Sequence, residues 1–177
     1  MMKQSVLVLC RTGVLCAVAL VLSVFEGMIP DLPFALPGMK LGLSNLAVMF
    51  SLELCPLPCA FCVVVVKALF ALVNRGATAF MMSLAGGVLA TAGMCLLVRQ
   101  KKLFFGCFGI GVWGAFLHNS GQLLVALLLV SDAVYGYFPV LALSAVVTGA
   151  LTGLVYYLVM PSLKRVPLIG DEGLQNL

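Results

Sequence analysis

Residues 77–98 read ATAFMMSLAGGVLATAGMCLLV, followed at once by Arg99-Gln100-Lys101-Lys102. The run holds no charged side chain, and it reaches the length of about 20 residues that a helix needs to cross the hydrocarbon core of a bilayer. Its apolar residues would cover a helix on all sides, and the basic cluster behind it marks an interface. The whole chain shares this character. Of its 177 residues, 63% are hydrophobic and 9% charged. A soluble domain carries roughly 25% charged residues, so these few cannot cover a surface facing water. The sequence predicts one all-α transmembrane domain over residues 1–177.

Apolar stretches recur on both sides of this run. Spans are expected at about 10–29, 39–55, 57–74, 77–98, 103–130 and 136–160, a six-helix bundle. Pro56 and Pro58 set the join between the second and third, Asn74-Arg75-Gly76 ends the third, and Pro161 with Lys164-Arg165 stops the sixth. An alternative pairs the second and third as a re-entrant hairpin. With six spans one side collects Lys3, Arg11, Arg99, Lys101, Lys102, Lys164 and Arg165, and the other collects Lys40 and Arg75 with Asp31 and Asp132. The excess of Lys and Arg on one side places both termini in the cytoplasm. The start of the chain is not read as a cleaved signal, because Arg11 interrupts its apolar stretch.

The loop 30–38, with Pro30, Pro33 and Pro37, is apolar and cannot be a regular helix. It is expected to fold over the outer mouth of the bundle as a lid. Small residues mark close helix contacts. Ala145, Gly149 and Gly153 on the sixth span, and Gly106, Gly109, Gly111 and Gly114 on the fifth, suit packing inside the bundle. Gly13 and Ala17 on the first span, continuing to Val21, suit docking to a partner membrane protein.

Polar side chains inside the spans are expensive in hydrocarbon and mark candidate sites. Lys40 opens the second span, with Ser44 one turn on and Asn45 near the same face. A helix start offers N–H groups to an anion. Lys67 follows four valines, and Asn74 and Arg75 end the same span. Glu26 is an expected ion partner for Lys67. His118 and Gln122 share a face at i, i+4, while Asn119 points about 100° away and can serve a neighbouring helix. Ser44, Asn45, Lys40, Lys67, Asn74, Arg75, His118, Asn119 and Gln122 are the candidate substrate-binding residues. Ser144, Thr148 and Thr152 are expected to bond to their own helix carbonyls.

Metal and cofactor chemistry find little support. The seven cysteines cluster only in Cys55-Pro-Leu-Pro-Cys59-Ala-Phe-Cys62, without a His or a second pair at zinc spacing. No cofactor, metal or catalytic residue is expected, and the Lys/Arg pattern reads as topology, not as a nucleic-acid footprint.

Three motifs together resemble a bacterial membrane family. They are Pro37-Gly38-Met39-Lys40-Leu41-Gly42-Leu43-Ser44-Asn45, Ser83-Leu84-Ala85-Gly86-Gly87 and His118-Asn119-Ser120-Gly121-Gln122. The family is catalogued both as "Gx transporter family" and as "heptaprenyl diphosphate synthase component I". The resemblance covers about residues 10–160, with Ser44 a mild departure from the alanine common there. It also looks like the substrate-binding S components of energy-coupling-factor transporters. That likeness implies six helices, cytoplasmic termini, a lid after the first helix, and Gly13 and Ala17 docked on a membrane coupling subunit that works with ATPases.

Two functions follow as expectations. The first is a substrate-binding or transport component in the bacterial cytoplasmic membrane, for a small anionic, amphipathic or prenylated molecule. The chain has no Walker motif, so energy would come from separate subunits. The alternative is a non-catalytic membrane component associated with heptaprenyl diphosphate synthase, in isoprenoid or quinone biosynthesis. Prenyl transfer relies on aspartate-rich Mg²⁺ sites, and Glu26, Asp31, Glu53, Asp132, Asp171 and Glu172 are not spaced as one. A purely structural subunit is a third reading, which leaves the polar cluster unexplained.

Overall fold

The computed structural model describes residues 2–28, 42–99, 106–129 and 132–165. Over these the chain forms α1 (Met2–Met28), α2 (Asn45–Leu54), α3 (Leu57–Arg75), α4 (Ala77–Arg99), α5 (Gly106–Leu129), a 3-10 turn (Asp132–Tyr137) and α6 (Phe138–Lys164). The expected lid, residues 30–38, and Lys40 lie outside the described residues.

Among the described residues, five helices are long and apolar enough to cross a membrane. The exception corrects the expected second span. α2 has ten residues and rises about 15 Å, half of a hydrocarbon core about 30 Å thick. Its residues from Asn45 to Leu52 are all buried, and it touches each of the other five helices. A helix surrounded by protein is apolar all round for the same reason as one surrounded by lipid. Composition alone therefore reads a central, half-length helix as a span.

Local chemistry sets the breaks. Cys55 is extended, at φ −141° and ψ 160°, as a residue before proline must be. Pro58 sits in the first turn of α3, where a missing N–H costs nothing. Gly76 alone separates α3 from α4, at φ 87° and ψ −177°, a conformation open essentially to glycine only. Two ends differ from expectation. α1 begins at Met2, so Arg11 lies within it, reaching the Leu54 carbonyl at 3.5 Å. α6 runs through Pro161 to Lys164, whose ammonium pairs with Glu53 at 2.7 Å and holds that last turn.

These contacts fix the run of the chain. Arg11 of α1 and Lys164 of α6 both meet the carboxyl end of α2, whereas Glu26, near the end of α1, meets its amino end. α5 packs between α4 and α6 with backbones in contact. A methyl on Gly153 would lie 2.8 Å from the Phe108 Cα, and one on Gly121 2.7 Å from the Gly86 Cα. Gly111, Gly114, Ala145, Gly149 and Gly153 are buried in these seams. Ser144, Thr148 and Thr152 donate to carbonyls of their own helix at 2.8–3.0 Å. Gly13, Ala17 and Val21 lie instead on the exposed face of α1. The outer surface is apolar, with Leu9, Val73, Leu128, Leu143 and Leu158 among its exposed side chains.

Candidate functional site

A cavity of about 300 Å³ opens at the end of the bundle where α1 and α3 finish and α2 and α4 begin. α1 contributes Ser23 and Glu26, α2 is preceded by Ser44, α3 brings Lys67, Asn74 and Arg75, α4 brings Ser83, and α5 brings His118 and Gln122. Exposed Asn74 and Arg75 form the rim. Lys67, His118 and Gln122 line the wall and are 2–3% exposed.

Each buried group is held by a neighbour. The Lys67 Nζ donates to Asn45 Oδ1 at 2.7 Å, linking α3 to the start of α2. Gln122 Nε2 donates to His118 Nε2 at 2.7 Å. The other ring nitrogen is Nδ1. That side of the ring lies against α4, where a methyl on Gly86 would come 2.8 Å from Nδ1. The four-residue spacing of His118 and Gln122 thus produces the shared face that the sequence implies.

Glu26 takes a role that spacing within one helix cannot reveal. Its Oε1 accepts the Gly42 N–H and, at 3.0 Å, the Leu43 N–H, while the Ser44 hydroxyl donates to Oε2 at 3.4 Å. A carboxylate at a helix start offsets the positive end of the dipole. The N–H groups expected to serve a ligand are therefore occupied by this side chain from α1. Glu26 lines the same cavity as Lys67. The available signal was a lone acid inside an apolar span. Ser83, the first residue of the second motif, is a further lining side chain.

The other candidates are placed as follows. Ser44, Lys67, Asn74, Arg75, His118 and Gln122 line the cavity. Asn45 stands behind Lys67 as its acceptor. Asn119, expected at the site, is on the other side of α5. It donates to the Leu141 carbonyl and the Ser144 hydroxyl of α6, both at 3.1 Å, because a residue next to His118 is rotated about 100° round the helix. Gly13 and Ala17 are far along α1 from the cavity-lining stretch Ser23–Met28. Among the described residues, no three His, Cys, Asp or Glu side chains come together as a metal site would require.

One protein-family model, described as heptaprenyl diphosphate synthase component I, matches residues 15–159. No curated protein and no solved structure matches the chain. The family's description fits the alternative function, a component of that synthase, better than the transport reading.

Proposed function

Because the chain belongs to the heptaprenyl diphosphate synthase component I family, we propose that it is a non-catalytic membrane partner of a prenyl diphosphate synthase, whose cavity takes the anionic head of an amphipathic molecule. We place it in the bacterial cytoplasmic membrane. The observation that carries the reading is Lys67, a cation 3% exposed on the wall of the cavity, with Arg75 at the rim. On insertion scales a cation at mid-membrane costs about 2.5–3.5 kcal/mol, and an anionic guest offsets that cost. The volume of about 300 Å³ stands at the lower bound for small-molecule sites. Thirty-five prenyl carbons, at roughly 30 Å³ each by analogy with a water molecule's share of liquid volume, would need about 1,000 Å³. The cavity thus suits a diphosphate head, with the tail outside it along the apolar surface. Glu26, the carboxylate of the cavity, is engaged by α2, which argues against Mg²⁺-assisted ionisation there.

The test is purification of the full chain in detergent, followed by mass spectrometry of what it retains. We expect a diphosphate amphiphile with the parent chain, depleted in Lys67→Ala, and a soluble synthase subunit in the same fractions. Equal retention by parent and variant, or none by either, would remove the proposal.

Transport is the second reading, favoured by where the cavity opens. Its mouth is at the end opposite Arg11 and Lys164. If the basic end is cytoplasmic, the mouth faces outward, as a capture site would. The exposed stripe Gly13–Ala17 would then dock a coupling subunit served by ATPases.

A further inference from the structure

The amino end of α2 is built as an oxyanion seat, and a side chain of the protein sits in it. The Gly42 and Leu43 N–H groups and the Ser44 hydroxyl all point at the carboxylate of Glu26. Beside them lies a donor without a partner among the described residues. Asn45 is 4% exposed, its Oδ1 is committed to Lys67, and its Nδ2 is buried with no hydrogen-bond partner among the described residues. A methyl placed on Gly42 would be 3.0 Å from that nitrogen and 3.1 Å from the His118 ring, so the spare donor faces Gly42 itself. Gly42 also has φ +85°, a conformation that favours glycine. Of these groups, Ser44 and Glu26 line the cavity with Lys67, and the unused amide belongs to the residue that holds Lys67. Buried polar groups are nearly always paired, so an orphaned donor here calls for an acceptor. Glu26 takes three donors and leaves the Asn45 amide unmet.

We propose that the amino end of α2 is the seat for the phosphoryl oxygens of the ligand, and that Glu26 is a resident anion which must leave for the ligand to enter. The inference rests on the reading of the cavity as an anion site. Two anions cannot share the same N–H groups, because each would lose its donors and meet a like charge at close range. A phosphoryl group has more acceptor oxygens than a carboxylate and can take the Asn45 amide as well. Glu26 departs with the end of α1, whose apolar window is 22% buried within the bundle, less than that of any other span. Loading the site would then shift α1, whose outer face carries Gly13 and Ala17.

The experiment is equilibrium binding of inorganic diphosphate and of farnesyl diphosphate to the full chain in detergent. The parent is compared with Glu26→Gln, which keeps the shape and an accepting oxygen but drops the charge. We expect Glu26→Gln to bind either probe at least about tenfold more tightly than the parent, and Ser44→Ala in the Glu26→Gln background to lose most of that gain. A preference for farnesyl diphosphate would identify a lipid-linked head, and equal affinity a free anion; both support the seat. Parent and Glu26→Gln binding alike, or Glu26→Gln binding more weakly with its melting temperature unchanged, would overturn the seat and leave the cavity reading standing. No binding of either probe by any form would overturn both. If Glu26→Gln unfolds, the Ser44→Ala single variant decides: it loosens the grip on Glu26 and should not weaken the parent's binding more than about twofold, whereas a loss beyond tenfold would refute competition by Glu26.

Discussion

At Lys67 a charge is held where hydrocarbon would penalise it, and the two possible reasons for keeping it predict different outcomes. Lys67→Met preserves length and removes the charge. It leaves Asn45 Oδ1 without its 2.7 Å donor, a loss of about 1–3 kcal/mol. It also removes the desolvation penalty of a buried ion, about several kcal/mol. The second term is larger, so the melting temperature should hold or rise, while retention of the anionic ligand falls at least about tenfold, or 1.4 kcal/mol. A variant that unfolds at lower temperature would make Lys67 a structural brace. Lys67, His118 and Gln122 were legible in the sequence because a polar side chain in an apolar run has few uses. Asn119, read as able to serve a neighbouring helix, meets α6 and is not among the cavity-lining side chains where its candidate role would put it. The grip of Glu26 on Gly42 and Leu43 was not legible, because it joins residues 16 and 17 positions apart and no helical period links them.

Among the helices, the seams and the free faces are distinguished by what a single methyl group would meet. On Gly86 it would lie 2.6 Å from the His118 carbonyl oxygen and 2.8 Å from its Nδ1, so α4 and α5 would have to part. Overpacking of this kind costs about 1–3 kcal/mol, and it would also tilt His118 away from Gln122. On Gly13 the methyl meets nothing within 4 Å, and alanine improves helix propensity by about 1 kcal/mol. Thermal unfolding in detergent should therefore show Gly86→Ala well below the parent and Gly13→Ala at or above it. Similar melting points for the two would sink the assignment of Gly86 to the seam. Gly76→Ala is a third case, since it has open space but φ +87°. Its cost of about 1–3 kcal/mol would be purely conformational. The sequence announced α3, α4, α5 and α6 through length and punctuation. It overstated α2, because side chains buried among five helices and side chains buried in lipid are equally apolar.

For the whole molecule, the position of the cavity relative to the basic end separates the two functions. Arg11 and Lys164 converge on the carboxyl end of α2 at 3.5 and 2.7 Å, and the cavity lies at the other end, with Asn74 exposed on its rim. If the end rich in Lys and Arg is the cytoplasmic one, Asn74 is turned to the outside. An intact cell producing Asn74→Cys should thus take up one more equivalent of a membrane-impermeant maleimide than a cell producing the parent, whose own cysteines set the background. Arg165→Cys should add nothing until the cells are opened. Both labels in that order would put the mouth outside, where a soluble cytoplasmic synthase cannot reach the head of a bound amphiphile. The association named by the family would then have to act through the opposite end, around Glu53 and Lys164, and capture from outside would gain ground. The reverse order would let a cytoplasmic enzyme exchange a diphosphate with Lys67 and Arg75 directly, and would make a coupling subunit unnecessary.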